Sequence, residues 1–211
     1  MSLKGNEVIE IINQIADNIN KNKLYLTELD AAIGDGDHGL NMDKGFQAVK
    51  EKLKDDNGEN LGDTFKKIGM TLVSTVGGAS GPLYGTAFMK SAAVLNNKSE
   101  MNMDDFIEIL KASLEGIKMR GKAVYGEKTM IDSIEPALNS LIKSKEENIS
   151  SIEAIKKAVM AAEDGVEYTK TIVATKGRSS YLGERSIGHQ DAGATSSYLI
   201  LKTVYEYIKG E

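Results

Sequence analysis

The feature that most restricts the fold of this sequence is a helical repeat of apolar residues along most of its length. From Ser151 onward, apolar or small residues recur at steps of three and four: Ile152, Ile155, Val159, Ala162, Val166, Thr169 and Val173. This spacing places all of them on one face of an α-helix of roughly six turns. The chain is therefore expected to bury helix faces against one another.

Seven further segments repeat apolar residues at a similar spacing. The first carries Val8, Ile12, Ile15 and Ile19 on one face, and looser patterns cover residues 39–54, 61–76, 86–95, 103–119, 130–143 and 194–209. The stretch MDDF before Phe106, and Ser151 before the longest repeat, are interpreted as helix starts. No segment is convincing as a strand. About eight antiparallel amphipathic helices without a sheet predict an all-α bundle or barrel.

Composition limits the number of domains and the classes of partner. With 211 residues and only two prolines, the chain is expected to form one domain over residues 1–211. A net charge of −5 argues against a nucleic-acid partner. The lack of cysteine excludes disulfides, and no apolar run reaches the ~18 residues of a membrane span. A soluble protein in the cytoplasm, with no membrane partner, is expected.

Glycine is concentrated in three connections between these helices, at residues 34–39, 77–85 and 177–193. The last of them, GRSSYLGERSIGHQDAG, is longer than a turn between helices requires, and long polar loops commonly carry function. Alternate loops of an up-and-down bundle emerge at the same end. The three connections are therefore predicted to meet at one rim and to form a single site there.

Asp30, Asp35 and Asp37 supply hard oxygen ligands without a histidine pair or a thiolate beside them. Such a set suits Mg²⁺ or Ca²⁺ better than zinc, and its spacing does not match an EF-hand. The alternative is that Asp35 and Asp37 only cap the helix beginning near Gly39, since Asp-Gly pairs often mark turns. These three residues by themselves leave both interpretations open.

A second glycine-rich stretch, GGASG, precedes the helix that carries Thr86 and Phe88. Backbone N–H groups at a helix start favour an anion such as phosphate. Three carboxylates and a polyphosphate repel one another unless divalent cations and a basic side chain such as Arg178 lie between them. The two loops together therefore favour a site for metal and phosphate. Because the usual P-loop, dinucleotide and protein-kinase motifs are missing from the sequence, a nucleotide site would be all-helical.

Four motifs, IGDGDHGLNM, GGASGPLYGTAF, RGKAVYGEKTMID and GRSSYLGERSIGHQDAGATSS, resemble those of the nucleotide-binding L subunits of bacterial dihydroxyacetone kinases, in the same order. The resemblance implies a barrel of eight antiparallel helices that holds ADP or ATP at one rim through two Mg²⁺ ions. The implied Mg²⁺ ligands are Asp30, Asp35 and Asp37. The implied phosphate contacts are His38, Gly39, Leu40, Asn41, Ala79 and Ser80; Gly121, Thr129 and Met130 would line the adenine, and Arg178, Asp191, Ala192 and Gly193 would close the site.

The resemblance also implies a division of the reaction between subunits. The L subunit keeps ADP bound, a phosphohistidine-bearing carrier, the M subunit, rephosphorylates it, and dihydroxyacetone on the K subunit receives the phosphoryl group. A chain of 211 residues is expected to be this free-standing, phosphotransferase-dependent form, without a catalytic residue of its own. The resemblance also suggests two further partners, a transcription regulator and a second copy of the chain.

Two other functions stay open: the nucleotide domain of a kinase for another ketose or a fatty acid, and a nucleotide-dependent regulatory module. Single residues also have other interpretations. His38 is either a nucleotide contact, a solvated turn residue or a phosphohistidine. The spacing of Met130 by itself favours a core residue. The alternative for Arg178 is an ordinary surface arginine. Where the family leads us to expect proline, between Asp191 and Gly193, the chain has Ala192, which is expected to loosen that turn.

Overall fold

Eight α-helices dominate the computed structural model, which describes residues 2–210. They are α1 (Gly5–Ile33), α2 (His38–Lys52), α3 (Leu61–Thr75), α4 (Ser80–Val94), α5 (Met103–Gly121), α6 (Ile131–Glu146), α7 (Ser151–Thr169) and α8 (Ala192–Lys209). A 3₁₀-helix, Arg178–Ser186, lies between α7 and α8. The predicted all-α class is confirmed. Among residues 2–210, no helix is both long and apolar enough to cross a membrane.

The helices close into a barrel, because each packs against its neighbours in sequence and α8 packs against α1. The predicted apolar face of α1 lies inside: Val8, Ile12, Ile15 and Ile19 are each at most 4% exposed. Burying such a side chain contributes about 1.5–3 kcal/mol to folding. An apolar cavity of about 130 Å³ remains between the helices, and the side chain of Tyr84 forms part of its wall.

Consecutive helices run in opposite directions, so their connections alternate between the two ends of the barrel. Four connections emerge at one end, which we call the rim: residues 34–37, 76–79, 122–130 and 170–191. The three glycine-rich regions of the sequence all contribute to this end. The topology therefore places them where they can build one site.

The glycine-rich stretch at residues 77–85 is a loop only at its beginning. Helix α4 starts at Ser80 and not near Thr86, because its glycines pack against the neighbouring helix. A Cβ on Gly81 would lie 2.3 Å from the Val76 carbonyl oxygen, and one on Gly85 would lie 2.8 Å from the carbonyl oxygen of Gly69 in α3. These glycines therefore allow two helix backbones to approach closely, a contact that the sequence does not reveal.

Two other predicted helix boundaries, both of α7, are displaced. Helix α7 is capped by Ser150 and not by Ser151: the Ser150 Oγ accepts a backbone N–H at 3.5 Å. The predicted MDDF start of α5 is confirmed, because this helix begins at Met103 and is capped by the preceding Asn102. Helix α7 ends at Thr169, so Val173 lies beyond it although it continues the apolar spacing.

The expectation of no strand is wrong at one place. Strand β1 (Ser2–Lys4) pairs antiparallel with strand β2 (Glu100–Asn102), and Leu3 lies opposite Met101. Both of these apolar side chains are buried. Strands of three residues are too short to show an alternating pattern in the sequence. The small sheet joins the start of α1 to the start of α5, at the end of the barrel opposite the rim.

Candidate functional site

Asp30 organises the connection between α1 and α2. It lies in the last turn of α1, and its Oδ2 accepts hydrogen bonds from the backbone N–H groups of Asp37 at 2.9 Å and His38 at 3.1 Å. A Cβ on Gly34 would lie 2.2 Å from Asp30 Oδ1, so this tight turn around the carboxylate requires glycine. The carboxylates of Asp30, Asp35 and Asp37 thereby present oxygen atoms within 4.8 Å of one another.

The three carboxylates form a donor set that fits Mg²⁺. Hard divalent cations prefer carboxylate oxygens, and negative charges this close repel one another unless a cation lies between them. Asp37 directly precedes α2, but its side chain makes no capping hydrogen bond, so the helix-cap interpretation is wrong for this residue. Asp35 pairs instead with Arg178, with 2.9 Å between Oδ2 and Nε. That ion pair brings the 3₁₀-helix into contact with the connection that carries the three carboxylates.

A pocket of about 450 Å³ opens at the rim, and most residues predicted to bind metal or nucleotide line it: Asp30, Asp35, Asp37, His38, Ala79, Ser80, Gly121, Thr129, Met130, Arg178, Asp191, Ala192 and Gly193. Gly39, Leu40 and Asn41 are not in its lining and form the first turn of α2. Leu40 is 51% exposed, and a Cβ on Gly39 would lie 2.0 Å from the Lys23 carbonyl oxygen in α1. Gly39 therefore has a packing role whatever it binds.

His38 lies inside the rim, with only 8% of its surface exposed. Its Nδ1 is 3.0 Å from the Ser80 Oγ, and its Nε2 is 2.9 Å from the Ser196 Oγ. Burial lowers the pKa of His38, while the carboxylates of Asp30 and Asp37 oppose that shift. The interpretation of His38 as a solvated turn residue is therefore wrong.

Ser196 belongs to a buried hydrogen-bond network that the sequence did not predict. The Tyr84 hydroxyl lies 2.8 Å from the Oγ atoms of both Ser196 and Ser197, and both serines donate to the Gly193 carbonyl oxygen. Burial raises the pKa of Tyr84 to about 12, so this hydroxyl stays protonated at neutral pH. Tyr84, Ser196 and Ser197 lie within two of the quoted motifs, but the motifs do not show that these side chains meet one another.

The predicted adenine contacts Gly121, Thr129 and Met130 line the pocket from the end of α5 and from the connection between α5 and α6. The carboxylate of Asp132 shapes this connection, because it accepts the backbone N–H groups of Gly126 at 2.5 Å and Thr129 at 2.7 Å. Met130 is 4% exposed and belongs to the hydrophobic core. Its core interpretation is confirmed, and the same side chain also faces the pocket.

Residues 170–191, which we call the closing segment, end at the start of α8. The Oδ2 of Asp191 caps that helix by accepting the Ala194 N–H at 2.7 Å, and burial raises the pKa of Asp191 to about 7. Ala192, where proline is expected, is the first residue of α8. The cap hydrogen bond thus constrains this turn without a proline.

Lys128 is a buried lysine at the edge of the pocket, with 1% of its surface exposed. Its Nζ donates to the carbonyl oxygens of Thr169 at 2.5 Å, Ser186 at 2.7 Å and Ile172 at 3.4 Å. Burial lowers the pKa of Lys128, and the carboxylate of Asp191 opposes that shift. No sequence signal predicted this residue, because a lysine in the motif GEKTM looks the same whether it is buried or solvated.

Comparison with known proteins shows the family of the chain. Residues 32–206 match the model of the DAK2 domain family. The chain is 43% identical over 202 residues to the PEP-dependent dihydroxyacetone kinase, ADP-binding subunit DhaL, of Escherichia coli (strain K12), covering 96% of each chain. It is 44% identical over 200 residues to the PTS-dependent dihydroxyacetone kinase, ADP-binding subunit DhaL, of Lactococcus lactis, covering 95% of this chain and 96% of the relative.

The similarity extends to a solved structure, the dihydroxyacetone kinase of C. freundii in complex with AMP-PNP and Mg²⁺. The two folds superpose with a TM-score of 0.74 at 27% identity, over 94% of this chain and 33% of that kinase. The chain thus spans about a third of the crystallised enzyme. With its family match over residues 32–206 and its relatives above 40% identity, the chain belongs to the DAK2 domain family.

Proposed function

We propose that this chain is the ADP- and ATP-binding subunit of a phosphoenolpyruvate-dependent dihydroxyacetone kinase, a phosphotransferase, and forms one domain over residues 1–211. The proposal rests on one observation: three carboxylates, two helix N-termini and the Arg178 guanidinium converge on one pocket. That combination suits a nucleotide bound together with Mg²⁺. The 43% identity to an ADP-binding subunit supports the same activity.

In this proposal Asp30, Asp35 and Asp37 bind two Mg²⁺ ions. When bound, Mg²⁺ neutralises the charge of the phosphates and helps to orient the phosphoryl group that is transferred. The N-terminal turns of α2 and α4 offer backbone N–H groups and favour negative charge. The phosphate contacts on these turns are His38, Gly39, Leu40, Asn41, Ala79 and Ser80. Arg178 adds a charged donor on the other side of the phosphates.

The other two connections at the rim bind the adenine and close the site. Gly121, Thr129 and Met130 contact the adenine, and the apolar side chain of Met130 provides part of the surface against which the base packs. Asp191, Ala192 and Gly193 close the site. Phosphoryl transfer mainly requires positioning and charge stabilisation, so the chain needs no nucleophile of its own.

Two partner subunits complete the reaction. The phosphohistidine-bearing M subunit transfers its phosphoryl group to the β-phosphate of the nucleotide, which breaks a P–N bond and forms a P–O bond. The K subunit holds dihydroxyacetone, whose hydroxyl oxygen then takes the phosphoryl group while its proton goes to a base on that subunit. The assembly works in the cytoplasm, and a transcription regulator and a second copy of this chain are further proposed partners.

Mixing the purified chain with the K subunit and the M subunit in all combinations tests this proposal, with dihydroxyacetone phosphate formation as the readout. We expect no product from this chain with dihydroxyacetone and added ATP alone, because a kinase without its acceptor site lacks the proximity that can supply several kcal/mol of the barrier. Sustained turnover is expected only when both partners and the phosphate donor for the M subunit are present. Product from this chain and ATP alone would contradict the proposal.

Parallel reactions distinguish the alternative functions. Replacing dihydroxyacetone by another ketose in the complete mixture tests whether the acceptor differs. A mixture that binds ADP but phosphorylates none of the ketoses, although the K and M subunits are active with a known L subunit, would favour a regulatory module.

A further inference from the structure

We propose that Lys128 is a positioning residue that holds the closing segment over the nucleotide and thereby places Arg178 against the phosphates. The role of the nucleotide in this inference rests on the proposed function. The contacts between Lys128 and the closing segment do not depend on that function. Lys128 belongs to the connection assigned to the adenine, lies at the edge of the pocket and contacts the segment assigned to closure.

The hydrogen bonds of Lys128 show how it acts. A lysine ammonium has three N–H donors. All three have backbone acceptors, the carbonyl oxygens of Thr169, Ile172 and Ser186. Since no donor remains for a ligand, Lys128 acts on the nucleotide through the segment that it holds. Thr169 is the last residue of α7, where the helix dipole also favours a positive charge.

The three acceptors are distributed along the closing segment and its root. Thr169 also accepts the Asp191 N–H through its Oγ1 at 3.0 Å, so the residue before the segment contacts its last residue. Ser186 accepts the Ala174 N–H through its Oγ at 2.9 Å, which joins the end of the 3₁₀-helix to the early part of the segment. Lys128 therefore contacts Thr169 and Ser186, the two residues at which the closing segment folds back on itself.

The position of Lys128 is itself held firmly. It adopts a left-handed backbone conformation with φ of +62°, which is uncommon for a residue with a side chain. The neighbouring N–H groups that bond to Asp132 keep the turn in this shape. This backbone conformation directs the ammonium inward. Its hydrogen bonds to the closing segment offset the cost of the strained conformation. Arg178, which begins the 3₁₀-helix, lies in the middle of that segment.

The first experiment is a double-mutant cycle on ADP binding, measured by calorimetry with Mg²⁺. Lys128→Met is expected to weaken ADP binding by about tenfold or more, because hydrogen bonds to a charged group are lost. In an Arg178→Ala background the same change is expected to cost less than about threefold, since residues that act as a unit are not additive. Lys98→Met is the control: Lys98 pairs with the buried carboxylate of Asp105 at the opposite end of the barrel. Additive effects of Lys128→Met and Arg178→Ala would overturn the inference.

A second experiment needs no nucleotide. Trypsin cleaves after arginine, and both Arg178 and Arg185 lie on the exposed face of the closing segment. If Lys128 holds this segment, Lys128→Met accelerates cleavage at these two sites by about tenfold or more, whereas Lys98→Met does not. Unchanged cleavage would overturn the inference. If the unmodified chain bound no ADP, the proposed function would fail, and this comparison would still decide the role of Lys128.

The lack of cysteine in the chain permits a rescue experiment. Lys128→Cys introduces a single thiol, which is alkylated in the unfolded protein with either an aminoethyl or a propyl group before refolding. The two adducts match the length of lysine, but only the first carries an ammonium. We expect the aminoethyl adduct to restore ADP binding and trypsin resistance and the propyl adduct to keep its helix content without them. Equal behaviour of the adducts, or loss of all helix content in the propyl adduct, would show that Lys128 does not act by positioning.

Discussion

The Nε2 atom of His38 lies 2.9 Å from the Oγ atom of Ser196, a residue 158 positions later in the chain. The other ring nitrogen, Nδ1, lies 3.0 Å from the Oγ of Ser80. One buried imidazole thus joins the N-terminal parts of α2, α4 and α8. These helices directly follow the three connections proposed to hold metal, phosphate and the closing contact. We expect the relative positions of the loops at the rim to depend on this side chain.

Ser196→Ala is expected to destabilise the protein by about 1–3 kcal/mol, because the buried His38 Nε2 loses its partner. We expect weaker ADP binding as well, since the contact of α2 with α8 loosens. Ser197→Ala is the matched control, because Ser197 bonds to Tyr84 and Gly193 but not to His38. Urea unfolding and calorimetry measure the two effects. Equal losses of ADP affinity in the two variants would argue against a specific role of the His38 contact.

Asp37→Ala is expected to abolish Mg²⁺-dependent ADP binding and phosphoryl transfer while leaving the helical circular dichroism intact, because Asp37 lies in a connection outside the buried helix faces. Asp35→Ala should have the same effect, but it also removes the ion pair with Arg178. Asp55→Ala, a change of an exposed aspartate at the other end of the barrel, is the control. Full activity of the Asp37 variant with its partner subunits would refute the metal assignment.

The purified chain is expected to retain ADP and Mg²⁺ through chromatography. Mass spectrometry of the denatured protein should release adenine nucleotide in near-stoichiometric amount. A chelator should lower the melting temperature, because a ligand that binds only the native state at 100 times its Kd stabilises it by about 2.7 kcal/mol. Excess Mg²⁺ and ADP should reverse the change. An unchanged melting temperature together with no released nucleotide would contradict the site.

Asp191 is expected to make the stability of the ligand-free protein depend on pH. Burial raises its pKa to about 7, above the value of about 3.9 in an unfolded chain. Between these values the native state holds a proton that the unfolded state has lost, so the free energy of unfolding falls as the pH rises from about 4 to about 7. Asp191→Asn cannot ionise but keeps an oxygen for the Ala194 N–H. Urea unfolding across this range should show a smaller decrease for the variant, and identical slopes would contradict the assignment.

Ala192→Pro is expected to stabilise the protein by about 0.4–1 kcal/mol. Proline is favoured at the first position of a helix, where the N–H has no partner within the helix, and Ala192 holds this position in α8. The preceding Asp191 has φ of −76° and ψ of 127°, a conformation compatible with a following proline. Thermal unfolding of the ligand-free protein measures the gain. A loss of stability would show that the backbone at Ala192 cannot accept the proline ring.

The amino-acid sequence alone determined the helical class, most of the helix positions and the grouping of three carboxylates in one connection. These features are local. The three-to-four spacing of Val8, Ile12, Ile15 and Ile19 shows which face of α1 is buried, and Asp30, Asp35 and Asp37 lie within one short stretch of chain. The order of helices and loops was then enough to predict that the glycine-rich connections share one end of the barrel.

Only the tertiary structure decided which side chains meet across that end. The contact of His38 with Ser196 and the three carbonyl acceptors of Lys128 join segments far apart in sequence. The glycines at the early start of α4 approach α3 closely, and the pairing of Leu3 with Met101 joins two segments that are far apart in the chain. A sequence period reports whether a residue is buried, because burial follows the turn of its own helix. It does not report the partner, because the packing of all eight helices sets which buried groups come within hydrogen-bond distance.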